Sequence, residues 1–270
     1  MEKKSKYILV TGASAGIGLA ITKFLAEKGD YVIATDKNKI SDDILEKYNN
    51  IDFFKMDLAN HDSILLTKKL VEDKYQELDA LVNNAGIFVG GPLVEIDIEL
   101  INRIFAVNVF GTIFVTQVFF PLIHRKKGRI INISSEAGRF TPPFSGPYSM
   151  VKYTIESFSD ALRRELMFVG VKVSTIQPGA VKTDLLNKTP NYYVASDSSL
   201  FSKQISRIHQ LSSSEWKRAT EPNTIAKLVY KVLHTKNPRP RYKIKNNLGR
   251  RVLEYLPDRL VDKMIKLILR

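Results

Sequence analysis

Short apolar runs alternate with stretches of helical periodicity along most of the chain. Six apolar, largely β-branched runs are predicted strands, at Tyr7–Val10, Tyr31–Ala34, Asp52–Phe54, Ala80–Val82, Arg129–Ile133 and Val171–Ile176. Between them, apolar residues recur every three or four positions, which predicts helices over 17–28, 61–76, 97–123 and 147–168. This alternation is typical of a parallel sheet with right-handed crossovers and helices on both faces. We therefore predict an α/β fold, a Rossmann-type doubly wound parallel sheet, in a single domain spanning residues 1–270.

The pattern loosens after Ile176. Residues 184–218 mix Tyr192, Tyr193, Phe201 and Trp216 with many serines and asparagines, which indicates either a substrate lid or a long variable insertion. Helical periodicity returns after Glu221.

One apolar segment, Ile104–Ile123, is long enough to imitate a membrane span, and a basic run follows it. Its interior carries Asn108, Gln117 and Pro121, which a lipid-facing helix disfavours. A helix buried against a sheet or in a subunit interface explains it better.

The net charge of +13 is concentrated at the end of the chain. Residues 239–270 hold ten basic and three acidic side chains, a net charge of +7, interleaved with aliphatic residues. Two interpretations of this basic C-terminal extension stay open: peripheral contact with an anionic membrane, or an amphipathic helix that packs on the domain. No nucleic-acid-reading element accompanies the charge, so we expect no nucleic-acid partner.

The chain contains no cysteine, and the spacing of its four histidines matches no metal-binding motif. A disulfide scaffold, thiol catalysis and a cysteine-ligated zinc site are therefore excluded, and we expect no metal site. The first strand begins at about Tyr7, which leaves no room for a signal peptide, so we expect a cytoplasmic protein.

The first strand leads into the glycine-rich segment Thr11–Gly18, which opens a helix. Gly12 would allow a tight turn, Gly16 close approach of a pyrophosphate, and Gly18 close helix packing. The free amides of the helix N-terminus would then face the phosphates of a dinucleotide.

Asp36 ends the second strand, where a carboxylate accepts hydrogen bonds from ribose hydroxyls and repels a 2′-phosphate. We therefore expect NAD to be favoured over NADP, although the neighbouring Lys37 would attract that phosphate. Asp57 ends the third strand and is interpreted either as an adenine contact or as a plain turn or capping aspartate.

Tyr148 and Lys152 stand four residues apart in a predicted helix, so one reacting centre is within reach of both. A tyrosine is a suitable acid/base for the oxygen of an alcohol or ketone, and a lysine charge would lower its pKa. Ser135 would donate a hydrogen bond to that oxygen. Taken singly, each has a structural explanation: an exposed helical pair for Tyr148 and Lys152, a strand-end cap for Ser135, and a satisfied helix-interior polar group for Asn108.

Taken together, these residues resemble the short-chain dehydrogenase/reductase family. The matching pieces occur in the family's order over residues 7–184, at Thr11–Gly18, Asp57, Asn83–Gly86, Asn108, Ser135, Tyr148, Lys152, Pro178–Gly179 and Thr183. The segment Phe144–Leu166 is similar to the branch that holds hydroxysteroid and retinol dehydrogenases.

The resemblance implies a role for each matching residue. Asn108, Ser135, Tyr148 and Lys152 would be catalytic, with Asn108 fixing a helix distortion and a water, and Lys152 also holding the nicotinamide ribose. The implied cofactor-binding residues are Gly12, Ser14, Ala15, Gly16, Ile17, Gly18, Asp36, Asp57, Leu58, Asn84, Ala85, Gly86, Tyr148, Lys152, Pro178, Gly179, Val181 and Thr183.

The function predicted on this basis is hydride transfer between a nicotinamide cofactor and an apolar secondary alcohol or ketone, such as a steroid, retinoid or lipid. Two alternatives remain, a 3-oxoacyl-acyl-carrier-protein reductase and a non-catalytic dinucleotide sensor. The resemblance also implies a homodimer or homotetramer, with helix 104–123 and the helix after Tyr148 as the interface.

Overall fold

The computed structural model describes residues 5–183 and 198–270. Its centre is a seven-stranded parallel sheet in the order β3-β2-β1-β4-β5-β6-β7. The strands are β1 Tyr7–Thr11, β2 Tyr31–Asp36, β3 Ile51–Lys55, β4 Ala80–Asn83, β5 Arg129–Ile133, β6 Lys172–Pro178 and β7 Arg241–Ile244. The α-helices are α1 Gly16–Glu27, α2 Asp42–Lys47, α3 His61–Lys74, α4 Ile98–Phe105, α5 Thr112–Arg125, α6 Gly146–Leu166, α7 Ser202–Lys217, α8 Pro222–His234, α9 Leu248–Leu253 and α10 Asp258–Leu269.

Two apolar layers cover the sheet, one on each face. On one face α1 and α8 pack together, with Ile21 and Val229 completely buried. On the other face α3, α5 and the end of α6 pack against the strands, with Ile64 and Phe119 completely buried. Burial on both faces explains why the central strands are continuous apolar runs, and it confirms the predicted α/β architecture.

The strand order reverses between β1 and β4, since β2 and β3 lie on one side of β1 and β4 to β6 on the other. In such sheets ligands bind beyond the carboxyl ends of the strands at this reversal. The glycine-rich segment after β1, the turn after β4 and Ser135 after β5 all lie along this edge.

The six predicted strands are confirmed with ends shifted by one or two residues, but the sequence pattern missed β7 and α2. β7 lies inside the segment interpreted only as a basic extension, and it pairs in parallel with β6. It is an edge strand in which Arg241 and Lys243 alternate with Tyr242 and Ile244. Charged residues on an edge strand are ordinary, but they conceal the strand signal.

The apolar segment interpreted as a buried helix forms a continuous helical run, Ile98–Arg125, in which α4 and α5 are joined by a π-helix at Ala106–Gly111. Within the described ranges, this run is the only helix long and apolar enough to cross a membrane, and half of its most apolar window is buried. Val115, Phe119 and Leu122 are completely buried against the sheet, which accounts for its composition without a membrane.

The predicted lid is described only in part. Residues 184–197, including Tyr192 and Tyr193, lie outside the described residues. The remainder leads into α7, where the ring of Phe201 lies edge-on to that of Phe144, with centroids 5.6 Å apart.

A buried hydrogen-bond network joins the centre of the sheet to two helices. Asn83 on β4 donates through Nδ2 to Oδ1 of Asn132 on β5 (2.9 Å) and to Oγ1 of Thr116 on α5 (2.9 Å). Asn132 donates in turn to Oγ of Ser159 on α6 (2.8 Å). Because these groups are inaccessible to water, each hydrogen bond replaces one that the group makes to water in the unfolded chain.

We expect Asn132→Ala to destabilise the protein by about 2–4 kcal/mol, because it removes two buried hydrogen bonds and leaves a cavity. Asn102→Ala, at an exposed position on α4, is the control and should change stability by less than about 0.5 kcal/mol. Urea unfolding at fixed protein concentration checks both; equal midpoints for the two variants would contradict the structural importance of the network.

Candidate active site

The glycine-rich loop after β1 packs directly on the turn after β4. Gly12 has φ +66°, and a Cβ added there would lie 2.7 Å from the Cα of Ala85. A Cβ added to Gly18 would lie 1.9 Å from the carbonyl oxygen of Gly12. Gly12 is therefore required for both its positive φ and its close contact, and Gly18 for its close contact alone.

Asn84 and Thr11 fasten these two segments together. Asn84 Nδ2 donates to the carbonyl oxygens of Thr11 (2.9 Å) and Gly12 (3.1 Å). The Thr11 hydroxyl accepts in return from the backbone amides of Asn84 (3.0 Å) and Ala85 (3.1 Å). The predicted Asn-Asn-Ala-Gly turn thus stabilises the loop in which Gly12 lies.

The amino end of α1 has the features that a phosphate group requires. Its N-cap is Ala15, no side chain in the described structure caps it, and its first turn contains no acidic residue. Thr183, on the loop after β6, lies close by, since a Cβ on Gly16 would be 3.2 Å from its side chain. Uncapped amides, a positive dipole end and a hydroxyl at one place fit a dinucleotide pyrophosphate.

The loop after β6 is held on both sides. Pro178 ends the strand, and the amide of Gly179 donates to the carbonyl oxygen of Ile244 at 3.0 Å. Val181 forms a parallel bridge with Thr220. These contacts place the predicted residues Pro178 to Thr183 beside the glycine-rich loop.

Asp36 closes the opposite side of the same loop. Its Oδ2 accepts from the amide of Ser14 (3.1 Å) and its Oδ1 from the amide of Asn38 (2.9 Å), whereas Lys37 is exposed. The carboxylate is thus fixed beside the phosphate-binding segment, where a ribose would follow.

Asp57 and Leu58 lie one strand further out, after β3. Oδ1 of Asp57 accepts from the amide of Ala59 at 2.9 Å, which is the turn role weighed as an alternative in the sequence. A Cβ on Gly111 would lie 2.4 Å from the carbonyl oxygen of Leu58, so the π-helix packs tightly there. Both residues lie at the carboxyl ends of the strands, on the side of the sheet away from Tyr148.

Ser135, Tyr148 and Lys152 come together after β5. Ser135 hydrogen-bonds the Tyr148 side chain, and its Oγ also accepts from the amide of Ala137 (3.1 Å). Lys152 Nζ lies 5.6 Å from the Tyr148 ring centroid and donates to the carbonyl oxygen of Ile133 at 2.9 Å. Lys152 is 7% exposed, so the pair is not an exposed helical pair.

The pKa of Tyr148 differs from the sequence expectation. Burial raises it to about 12, the charge of Glu136 adds to this, and the hydrogen bond from Ser135 only partly lowers it. The net direction is therefore upward, opposite to the lowering that the sequence led us to expect. Burial lowers the pKa of Lys152 to about 8, against the opposing charge of Glu156.

Asn108 has the structural role weighed from the sequence, and it lies at the expected helix distortion. It lies in the π-helix, 2% exposed, and its side chain accepts from the amide of Ile87 (2.8 Å) and donates to the Ile87 carbonyl (2.9 Å). It is therefore a satisfied buried amide at a helix distortion. Its contact fixes the segment after β4 that carries Phe88, whose ring centroid lies 4.9 Å from that of Tyr148.

Glu136, which immediately follows Ser135, is a site residue that no sequence motif indicated. Its carboxylate accepts from the amide of Asn247 at 2.8 Å and forms a close ion pair with Arg250. The partners are separated by more than 100 residues, so no spacing indicates the pair. The excess of basic residues in the extension was the only available signal.

Comparison with known proteins agrees with this geometry. Residues 6–193 match the family model described as short chain dehydrogenase. The chain is 32% identical to an NADPH-dependent 3-dehydrocapnine reductase from Ornithobacterium rhinotracheale, over 96% of this chain and 95% of that protein. It is 37% identical to a 3-amino-tetrahydro-pyrrolizinone reductase from Xenorhabdus hominickii, over 90% and 87% respectively. A solved short-chain dehydrogenase from Streptomyces avermitilis superposes with a TM-score of 0.81 at 27% identity, over 99% of this chain and 96% of that one.

The matched span contains the glycine-rich loop, the turn after β4, the Ser135–Tyr148–Lys152 group and the loop that ends at Thr183. Two relatives above 30% identity cover 96% and 90% of the chain. The chain therefore belongs to the short-chain dehydrogenase family of NAD(P)-dependent oxidoreductases, which act on CH–OH groups.

Proposed function

We propose that the whole chain, residues 1–270, works as one oxidoreductase domain that interconverts an apolar secondary alcohol and its ketone. The observation that carries the proposal is the grouping of Ser135, Tyr148 and Lys152 at the sheet edge where the phosphate-binding loop also lies. A bound nicotinamide would donate or accept the hydride. The protein's own groups then have to hold the substrate oxygen and move one proton.

The phosphates would lie on the α1 amides, with Thr183 and the Gly179 loop on the opposite side. Asp36 would hold the adenosine ribose, and Lys152 would hold the nicotinamide ribose. Asp57 and Leu58, further along the same edge, would border the adenine. The tight contact of Gly12 with Ala85 supports this assignment, because it keeps side chains out of the phosphate path.

Tyr148 would supply the proton. In reduction, its hydroxyl gives a proton to the oxygen that becomes the alcohol, and in oxidation its phenolate takes that proton back. Ser135 would donate a hydrogen bond to the same oxygen and stabilise charge that develops there. A tyrosine whose pKa is raised to about 12 is protonated at neutral pH, which favours its role as the acid in ketone reduction.

Apolar and aromatic residues around Tyr148 support an apolar substrate. Phe88 lies against its ring, and Leu93 lies against Gly146 two residues earlier, 3.2 Å from an added Cβ. Phe144 adopts φ +62° and its carbonyl oxygen accepts from the amide of Gly91 at 2.6 Å. Such a backbone conformation is costly for phenylalanine, and residues of this kind cluster at ligand sites.

For the cofactor we propose NAD in preference to NADP, on the position of Asp36. The relative named as NADPH-dependent weighs against this preference.

We further propose a cytoplasmic homodimer or homotetramer with peripheral membrane contact through the extension. Phe110 on the π-helix and Tyr153 on α6 are 58% and 44% exposed, which supports the predicted subunit interface.

Tyr148→Phe tests the reaction. We expect the turnover of apolar ketones and secondary alcohols to fall by about 10²–10⁴-fold, because the proton donor is lost. NADH binding, followed by fluorescence, should remain. Tyr153→Phe on the exposed side of the same helix is the control and should retain full turnover. Undiminished turnover in Tyr148→Phe would favour a non-catalytic dinucleotide sensor.

The pKa of Lys152 predicts a pH dependence of cofactor binding. With a pKa of about 8 the side chain is cationic below pH 8 and neutral above it. NADH affinity, measured by fluorescence from pH 6 to 10, should therefore fall as the pH rises through 8. In Lys152→Met the affinity should be low at every pH, and in Lys152→Arg it should stay nearly constant. If NADH affinity in Lys152→Met still falls with pH as it does in the wild type, another group is responsible for the titration.

Asp36→Ala tests cofactor choice. We expect NADH to bind about tenfold more weakly, because a charged hydrogen-bond acceptor is lost, and NADPH to bind more tightly. Separate fluorescence titrations with the two cofactors measure the ratio, and Asp42→Ala on nearby α2 is the control. Tighter NADPH than NADH binding by the wild-type protein would show that Lys37 outweighs Asp36, and would favour a 3-oxoacyl-acyl-carrier-protein reductase.

A further inference from the structure

Two rows of apolar side chains are exposed on the C-terminal helices. At and just beyond α9, Leu248, Val252 and Tyr255 are 73%, 59% and 78% exposed. On α10, Leu260, Met264 and Leu267 are 45%, 39% and 76% exposed. Both rows have the spacing i, i+4, i+7, which places each set on one side of its helix.

The fold covers only part of the apolar arc of α10. Val261 is 8% exposed, and Ile265 and Leu269 on the same side are half-buried, so this row faces the domain. Successive residues rotate by about 100° around a helix, which places the row of Leu260, Met264 and Leu267 beside the packed row rather than within it. The helix therefore carries more apolar surface than its own domain uses.

Charge is also segregated around α10. Arg259, Lys263, Lys266 and Arg270 are all exposed, and the helical rotation places them together along the other border of the exposed row. The two acids of the helix, Asp258 and Asp262, fall on the side away from that row. An apolar row bordered by basic side chains that can extend towards phosphates is the arrangement of a helix lying in a membrane interface.

We propose that residues 248–270 bind the surface of an anionic lipid membrane, with the exposed rows of α9 and α10 in the acyl-chain boundary and the basic row on the headgroups. A second copy of the chain would bring two strongly positive extensions together, which like-charge repulsion opposes. Anionic lipid covers the apolar rows and neutralises the basic row at once.

The segment is anchored to the domain at its start. β7 is paired with β6, Lys243 bonds Glu254 at 2.8 Å, and the Asn247 amide bonds Glu136. Further along, Nε of Arg207 on α7 donates to the carbonyl oxygen of Ile268 at 3.5 Å. The proposed membrane face therefore adjoins Ser135 and α7, the helix in the second half of the predicted lid. If the proposed function holds, an apolar substrate would reach the site from the membrane side.

The test is flotation of the purified full-length protein with two kinds of vesicle, phosphatidylcholine alone and phosphatidylcholine mixed with phosphatidylglycerol. We expect flotation with the anionic vesicles only, and its loss at high salt. Binding is read without substrate, so failure of the proposed reaction would not affect the result, and failure of vesicle binding would not affect the proposed reaction.

Paired variants separate the two contributions. Leu260→Ser with Leu267→Ser should lower the vesicle partition coefficient at least about tenfold, through lost apolar burial. Lys263→Gln with Arg270→Gln should lower it about 25-fold, since each basic residue near the surface contributes about a fivefold factor. Leu66→Ser is the control. Leu66 is 61% exposed on α3, which follows β3 at the edge of the sheet opposite to β7. The variant should bind vesicles as the wild type does. NADH fluorescence verifies that each variant is folded.

Absence of flotation with both vesicle types would overturn the proposal. So would binding that neither pair of variants weakens. If the leucine variants instead reduce the mass of the protein in solution without changing flotation, the exposed rows are a contact between copies and the membrane proposal is wrong.

Discussion

The active site depends on one close approach, between the loop after β1 and the turn after β4. The absence of a side chain at Gly12 lets the backbone reach Ala85, and the Asn84 amide then bonds both Thr11 and Gly12. Continuing along the same turn, a Cβ on Gly86 would lie 3.4 Å from Oδ1 of Asn108, whose side chain fixes Ile87, and Phe88 then meets the Tyr148 ring. The glycine-rich loop and the Tyr148 side chain therefore both contact a single run of chain.

Burial of charge at this site has an energetic cost. Lowering the Lys152 pKa from 10.5 to about 8 corresponds to about 3 kcal/mol in favour of the neutral side chain. Because the folded-state pKa lies below that of the unfolded chain, this penalty is fully present below pH 8 and disappears as the pH rises from 8 towards 10.5. This net shift already includes the opposing charge of Glu156. The site thus holds a lysine that titrates near physiological pH, which an exposed lysine does not.

The fold and the spatial grouping of Tyr148 with Lys152 were predictable from the sequence for identifiable physical reasons. Buried parallel strands are continuous apolar runs, and Tyr148 and Lys152 are one helical turn apart, so local patterns suffice. Electrostatic interactions between distant segments leave no local pattern in the sequence. The pairing of Glu136 with Arg250 joins distant segments, and the raised Tyr148 pKa results from desolvation that only the packed structure produces. β7 was missed because an edge strand tolerates alternating basic residues, so its composition matched that of the extension around it.

The extension consists of two parts whose basic residues have different surroundings. Its first part is structural: β7 completes the sheet, and Arg241 bonds Glu156 (2.7 Å) and Asp160 (2.9 Å) on α6, the helix that carries Tyr148 and Lys152. The charge of Arg241 is thereby neutralised within the fold and contributes little to the external field. From Arg251 onwards the basic residues are exposed and lie beside apolar rows. The positive charge of the extension therefore divides in two, one part holding α6 against the edge of the sheet and the other directed outwards.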